Sequence, residues 1–271
     1  MEYFEALGLS REPFSSSPDP DMFFRSESQQ ECLRQLETAI RLRRGLNVVL
    51  GEAGTGKTAL CRQLLRELAG DAGINASLIS APGPDDTAAF VARLAESLRV
   101  PAEEPPGSIH ELMERIKSHL FDQGVARGRI LCLLIDEGQT LRPECLEILR
   151  ELLNYETNEF KLLQIAIFAR TGFMDRLLHQ PNLADRVNYL LALAPFTFRE
   201  TKRMIAARLA LAAAGNAPGP RLSPAALYLV HRRGQGCPGQ VVQLCREALS
   251  SAARRGKKRA GLLDVPRAAG H

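Results

Sequence analysis

The chain has 271 residues, with 35 Lys and Arg against 31 Asp and Glu, for a formal net charge of +4. That length suits one large α/β domain and a smaller one, and no apolar run nears the about 20 residues of a membrane span. With no tryptophan and 6% aromatic residues, base-stacking platforms are not expected, while the mild positive balance permits nucleic-acid contact without requiring it.

The opening Met1-Glu2-Tyr3-Phe4-Glu5 is acidic, unlike the basic start of a signal peptide, so the expected location is the cytoplasm. The six cysteines, Cys32, Cys61, Cys132, Cys145, Cys237 and Cys245, form no C-x-x-C pair and sit among apolar residues. They read as reduced core thiols rather than a zinc site or a disulfide framework. Residues 1 to 25 lack periodicity. Their proline and serine density predicts an extended loop, and Leu7, Leu9, Phe14, Phe23 and Phe24 predict that it is packed. Ser28-Gln29-Gln30-Glu31 has the form of a capping box, followed by an amphipathic helix through Cys32, Leu33, Leu36, Ile40 and Leu42.

The run Leu46, Val48, Val49, Leu50 then predicts a buried strand, and Ala59 to Leu68 a helix. Between them, Gly51-Glu52-Ala53-Gly54-Thr55-Gly56-Lys57-Thr58 fits G-x-x-x-x-G-K-[ST] at every fixed position. Glycines in this setting let the backbone wrap phosphates, with N–H groups pointing inward and a helix N-terminus behind them. The candidate ATP-binding residues are Gly51 to Ala59. Lys57 would reach the β- and γ-phosphates, and the Thr58 hydroxyl would ligate Mg²⁺.

A second strand is predicted over Ile74 to Ile79, with helices from about Asp86 to Leu98 and from Ser108 to about Gln123. The latter opens with the capping box Ser108-Ile109-His110-Glu111, and Pro101 to Gly107 reads as a surface loop. Ile130 to Ile135 is six apolar residues in a row, as in a central parallel strand, and it ends in Asp136-Glu137. Parallel strands deliver ligands at their C-terminal ends. Asp136 would hold Mg²⁺, and Glu137 would orient and polarise the attacking water. A helix from Pro143 to about Asn154, a buried strand over Leu162 to Phe168, a short helix around Phe173 to Leu178 and a last strand over Tyr189 to Leu193 follow.

After Pro195 the pattern is helical. Thr197-Phe198-Arg199-Glu200 caps a helix to about Ala213. The link Gly215 to Pro220 leads to a helix from Ser223-Pro224 to near Arg233. The turn Gly234 to Pro238 opens a final helix to about Arg255. The basic run Arg254, Arg255, Lys257, Lys258, Arg259 suits a solvated helix C-terminus or a nucleic-acid or anionic-lipid patch.

Together these marks resemble the AAA+ ATPase domain of the general secretion pathway protein A (ExeA/GspA) family. The resemblance runs from Phe4 to about Arg259. It is carried by Phe4…Gly8-Leu9…Pro13-Phe14…Pro18-Asp19-Pro20, the glycine loop, Ile135-Asp136-Glu137-Gly138-Gln139, and Asn154…Glu156-Thr157…Lys161-Leu162-Leu163-Gln164-Ile165. It implies an α/β P-loop NTPase sheet of strand order 5-1-4-3-2, with residues 1–196 as N-terminal segment plus core and 197–271 as helical lid and basic tail. It also implies ATP hydrolysis by a ring-forming or partner-dependent oligomer acting on a protein partner. In the family a membrane helix and a peptidoglycan-binding domain often follow, and this chain resembles the stand-alone form.

The chain departs from the family pattern in two places. Ala169-Arg170 stands where the family usually has Gly-Gln after the fourth strand, so Arg170 is either a phosphate contact or a surface arginine. The lid's usual Gly-x-Pro-Arg is Gly236-Cys237-Pro238-Gly239, without the arginine that reaches the γ-phosphate. Arg186 matches an arginine that the family presents before the fifth strand. It is expected either to act across a subunit interface on the neighbour's nucleotide or to pair with Asp185. Transposition regulators of the TniB/TnsC/MuB type, which bind DNA as filaments, are the alternative resemblance. A nucleotide-gated interaction module with little hydrolysis is a third reading.

Overall fold

A computed structural model of the chain describes residues 2–15, 20–83, 86–102, 108–213 and 220–267. In chain order the elements are α1 (Tyr3–Ala6), α2 (Glu27–Arg41), β1 (Leu46–Leu50), α3 (Lys57–Ala69), β2 (Ile74–Ser80), α4 (Thr87–Ser97), α5 (Ile109–Phe121), β3 (Ile130–Asp136), α6 (Pro143–Asn154), β4 (Leu163–Ala169), α7 (Phe173–Leu178) and α8 (Pro181–Ala184). Then come β5 (Val187–Ala192), α9 (Phe198–Ala212), β6 (Arg221–Leu222), α10 (Pro224–Arg233), α11 (Pro238–Arg254) and β7 (Arg259–Ala260). The predicted loop over 101–107 and the link over 215–220 lie largely outside the described residues, as do 16–19 of the opening segment.

Contacts divide the chain into two compact units. One comprises Ser28–Glu52 and Leu60–Leu193, the other Met1–Glu27, Ala53–Ala59 and Ala194–His271. In the first unit, β1 to β5 form one parallel sheet in the order β2-β3-β4-β1-β5. This is the strand order implied by the resemblance. The central strands β1 and β4 are buried along their whole length, which is why they read as nearly continuous apolar runs instead of alternating ones. Their two polar residues are satisfied internally. Gln164 accepts from the Gly45 N–H at 2.8 Å and donates to the Lys161 carbonyl at 2.8 Å, and Asn47 accepts from Asn188 at 3.2 Å.

Apolar faces of α4, α5 and α6 complete this core through Phe90, Leu94, Ile116, Leu120, Leu146 and Leu149. The capping box at Ser108 and Glu111 forms as the sequence predicts, and Asp86 caps α4 by accepting from Ala89 at 2.8 Å. After α5 the chain does not stop near Gln123 but makes a π-helical turn over Asp122–Ala126.

In the second unit, Leu7, Leu9 and Phe14 of the opening segment pack with Met204, Ile205, Val230, Val241, Leu244 and Leu249 of α9, α10 and α11. The expected packed loop is therefore there, and it carries the short helix α1. Its end is tied to α9 by the Ser10 N–H, which donates to the Ala212 carbonyl at 2.9 Å. Thr197 and Glu200 form the predicted capping box of α9.

Three sequence expectations are corrected. Ser28 is not an N-cap: α2 already begins at Glu27, whose N–H is met by the Glu200 carboxylate at 3.3 Å. Leu42 falls outside α2 and is exposed. Arg259 is not part of a helix end. It opens β7, which pairs in parallel with β6. All six cysteines are buried and free, and burial pushes the Cys32 and Cys132 thiols up to about 12. No described helix is long and apolar enough to cross a membrane.

Candidate nucleotide site

β1 and β3 flank β4 and run parallel to it, so their C-terminal ends open on one edge of the sheet. Leu50 lies beside Ala169, and Ile135 beside Ile167. At that edge the Gly51 N–H donates to the Ala169 carbonyl at 3.2 Å. Glu52 is exposed, and its carboxylate accepts from the Thr171 hydroxyl just past β4. The start of the glycine loop is thereby pinned to the end of β4.

The remainder of the loop belongs to the second unit. Gly54 and Gly56 have φ of +80° and +95°, a region that costs L side chains but not glycine. This fits the sequence expectation that glycines turn the backbone here. Thr55 is 1% exposed and Lys57 5% exposed, and α3 begins at Lys57. Thr58 and Ala59 are half-buried in its first turn, with Ala53 exposed before it. The loop is also held from α11: the Gly239 N–H donates to the Gly54 carbonyl at 2.9 Å. A Cβ on Gly239 would lie 3.2 Å from the Gly54 Cα. The resemblance drew attention to position 239 only for its missing arginine. The close backbone approach there is a reason for glycine that the sequence did not disclose.

The acidic end of β3 is the second cluster. Asp136 is 5% exposed, and its Oδ1 accepts from the Glu137 N–H at 3.0 Å. Glu137 is half-buried and left-handed, with φ of 57°, an uncommon state for a non-glycine residue that often marks a constrained site. The next turn presses on β4: a Cβ on Gly138 would lie 2.3 Å from Ile167 Cγ2, so only glycine fits. The Gln139 side chain donates to the Glu137 carboxylate and accepts from the Arg170 N–H at 3.0 Å. Arg176 of α7 secures the same turn by donating to the carbonyls of Gln139 and Leu141. Sequence reasoning named Gln139 only as part of a family mark and did not foresee this bridge.

Each site arginine has a definite place. Arg170 follows β4 with its side chain exposed. Arg186 is exposed and lies 3.9 Å from Glu156, so its ion pair is with Glu156 and not with Asp185. Arg233 donates to the carbonyls of Val265 and Pro266 at 2.9 and 2.5 Å, which commits it to the C-terminal segment. Arg232 is exposed.

The donor set fits a nucleotide with Mg²⁺. Among the described residues no group of three or more His, Cys, Asp or Glu is placed to hold a metal. Mg²⁺ bound with phosphates needs only one or two protein oxygens, and Thr58 and Asp136 are of that kind.

A strand, a glycine loop with two left-handed glycines and a helix, on a parallel sheet of order β2-β3-β4-β1-β5, define a phosphate-loop NTPase fold of the AAA+ type. The chain belongs to the AAA domain family, which matches residues 18–178. It is similar to general secretion pathway protein A of Aeromonas hydrophila, with 32% identity over 270 residues. That match covers 98% of this chain and 48% of the relative, so the chain spans about half the length of that protein. Among solved structures it resembles Cdc6p from Pyrobaculum aerophilum (TM-score 0.72, 19% identity, 93% of this chain and 68% of that one). It also resembles the Aeropyrum pernix ORC1 protein in complex with DNA (TM-score 0.68, 22% identity, 93% and 67%). The RuvB Holliday junction branch migration motor of Thermotoga maritima is a more distant likeness (TM-score 0.58, 19% identity, 93% and 70%). These structural likenesses establish the fold.

Proposed function

We propose that this chain binds ATP with Mg²⁺, hydrolyses it to ADP and phosphate, and uses the cycle to remodel or assemble a protein partner. The observation that carries the reading is the Gly51–Thr58 loop, which joins a buried strand to a helix with Gly54 and Gly56 left-handed. In this reading the loop N–H groups and the start of α3 cradle the phosphates, and Lys57 balances the β- and γ-phosphate charge. Thr58 and Asp136 are the oxygen donors that would hold Mg²⁺, which when bound would neutralise charge on the phosphates. Glu137 orients a water and takes its proton. The water oxygen bonds to the γ-phosphorus while the bond to the bridging oxygen breaks, and that electron pair leaves with ADP. Arg186 acts on the nucleotide of a neighbouring copy in an oligomer.

Phosphate release from ATP, with Mg²⁺ and with excess EDTA, tests the reading directly. Turnover that needs Mg²⁺ supports it; folded protein that neither binds nor cleaves ATP sinks it. Similarity to general secretion pathway protein A supports a partner that belongs to a secretion pathway. A second reading, a DNA-binding regulator, draws on the exposed run Arg254 to Arg259 and on the DNA complex of a fold relative. DNA stimulation of turnover that fades as salt rises would favour it.

A further inference from the structure

The geometry points to Gln139 as a positioning residue for hydrolysis, holding the Glu137 carboxylate against the end of β4. This rests on the reading of Glu137 as the group that orients water. Gln139 has one amide and two fixed partners. A carboxylate at neutral pH only accepts, and a peptide N–H only donates. The amide must therefore turn its nitrogen to Glu137 and its oxygen to the Arg170 N–H, as observed. Neither partner leaves the choice of orientation open.

The turn that carries Gln139 is itself fixed. Gly138 touches Ile167 of β4 so closely that no Cβ fits. From the other side Arg176 donates to the Gln139 carbonyl at 2.6 Å. The Glu137 backbone N–H is already taken by Asp136, and the Thr140 hydroxyl and N–H both return to the Glu137 carbonyl. The remaining freedom of Glu137 is its side chain, and Gln139 restrains it through one oxygen. The second oxygen stays available for water. Because the other arm of the amide is on the Arg170 peptide, any shift of the β4 end moves the carboxylate with it. Thr171, one residue further, holds Glu52 of the glycine loop. The residues after β4 thus hold both the loop start and, through Gln139, the carboxylate at the end of β3.

Gln139→Met keeps the length of the side chain and removes both hydrogen bonds. Single-turnover hydrolysis and fluorescent-nucleotide binding should be measured for this variant, alone and combined with Glu137→Gln. The expected result is a fall in the hydrolysis rate of about 100-fold, the scale of a misplaced reacting group, with nucleotide affinity unchanged. In the Glu137→Gln background, Gln139→Met should cause no further loss, because Gln139 acts through that carboxylate. Gln139→Glu keeps the Arg170 contact but sets a second carboxylate beside Glu137. Like charges repel, so the Glu137 carboxylate should be displaced and the single-turnover hydrolysis rate should fall, with nucleotide affinity unchanged. This variant serves the test if the methionine variant is poorly folded.

Parent-like hydrolysis by Gln139→Met, with Glu137→Gln slowed, overturns the inference and leaves the reading of Glu137 standing. An equal loss from Gln139→Met in both backgrounds also overturns it, since that marks a merely structural residue. Parent-like hydrolysis by Glu137→Gln overturns the inference and the reading beneath it together.

Discussion

The Gly239 N–H donates to the Gly54 carbonyl at 2.9 Å, so the first turn of α11 is fastened to the glycine loop by backbone alone. In the family that the chain resembles, an arginine at this place reaches the γ-phosphate. In this chain a Cβ at 239 would meet the Gly54 Cα at 3.2 Å and the Gly54 oxygen at 3.4 Å, so the loop backbone would have to yield by a few tenths of an ångström. Gly239→Ala should therefore weaken nucleotide binding, by roughly 3- to 10-fold if one hydrogen bond of about 0.5–1.5 kcal/mol is lost. Gly239→Arg should do no better. Titration with a non-hydrolysable ATP analogue and with ADP checks this. Tighter, ATP-selective binding by Gly239→Arg would contradict it.

Lys57→Ala should lose nucleotide binding or turnover while the protein still folds. The side chain is buried at the start of α3, and in the proposed reading its charge serves phosphate more than packing. Calorimetric titration with ATP·Mg²⁺, alongside a melting curve, separates lost binding from lost structure.

Arg186→Ala should slow turnover and spare ATP binding. Its ion pair with Glu156 is long, at 3.9 Å, and both side chains are partly exposed, so the pair contributes about 0–1 kcal/mol at most. Stability should barely change. Mixing Arg186→Ala with Glu137→Gln protein should restore turnover if the arginine acts on a neighbour. Failure to complement, with oligomers shown to form, would place its role within one subunit.

Asp264 gives the C-terminal segment a pH dependence. Burial alone would raise its pKa. The Gly261 N–H at 2.8 Å, the Ser251 hydroxyl at 3.0 Å and Arg255 at 3.4 Å outweigh burial and hold the carboxyl below its usual 3.8. A depressed folded-state pKa means the contribution is fully present above the unfolded value near 4 and is lost as pH falls through the lower folded value. Asp264→Asn should lower stability at pH 7 by about 1–3 kcal/mol, and the gap to the parent should narrow on acidification below pH 4. Denaturant melts at several pH values would show it.

Much of the core fold was legible because its signals are local. The run Ile130 to Ile135 reads as a doubly buried strand, and the capping boxes at Ser108 and Thr197 mark their helices to within a residue. Ser28 misled because the Glu27 N–H finds its acceptor in Glu200, 173 positions away. The pairing of β6 with β7 involves two residues on each strand, too few for any periodicity. Within the site, residue types showed where phosphate, metal and water chemistry belong. The contacts that organise it, Gln139 Oε1 with the Arg170 N–H and the Gly239 N–H with the Gly54 carbonyl, join distant segments through at least one backbone group that every residue type can offer, so composition does not reveal them.

In the proposed cycle Glu137, at the end of β3, serves hydrolysis and not binding. This role is tested most directly by comparing parent and Glu137→Gln protein for ATP affinity and for single-turnover phosphate release in the presence of Mg²⁺. The expected result is retained ATP binding with hydrolysis slowed by at least about 100-fold, the usual scale of a lost general base. Hydrolysis by Glu137→Gln at the parent rate, in protein that binds ATP normally, would contradict it.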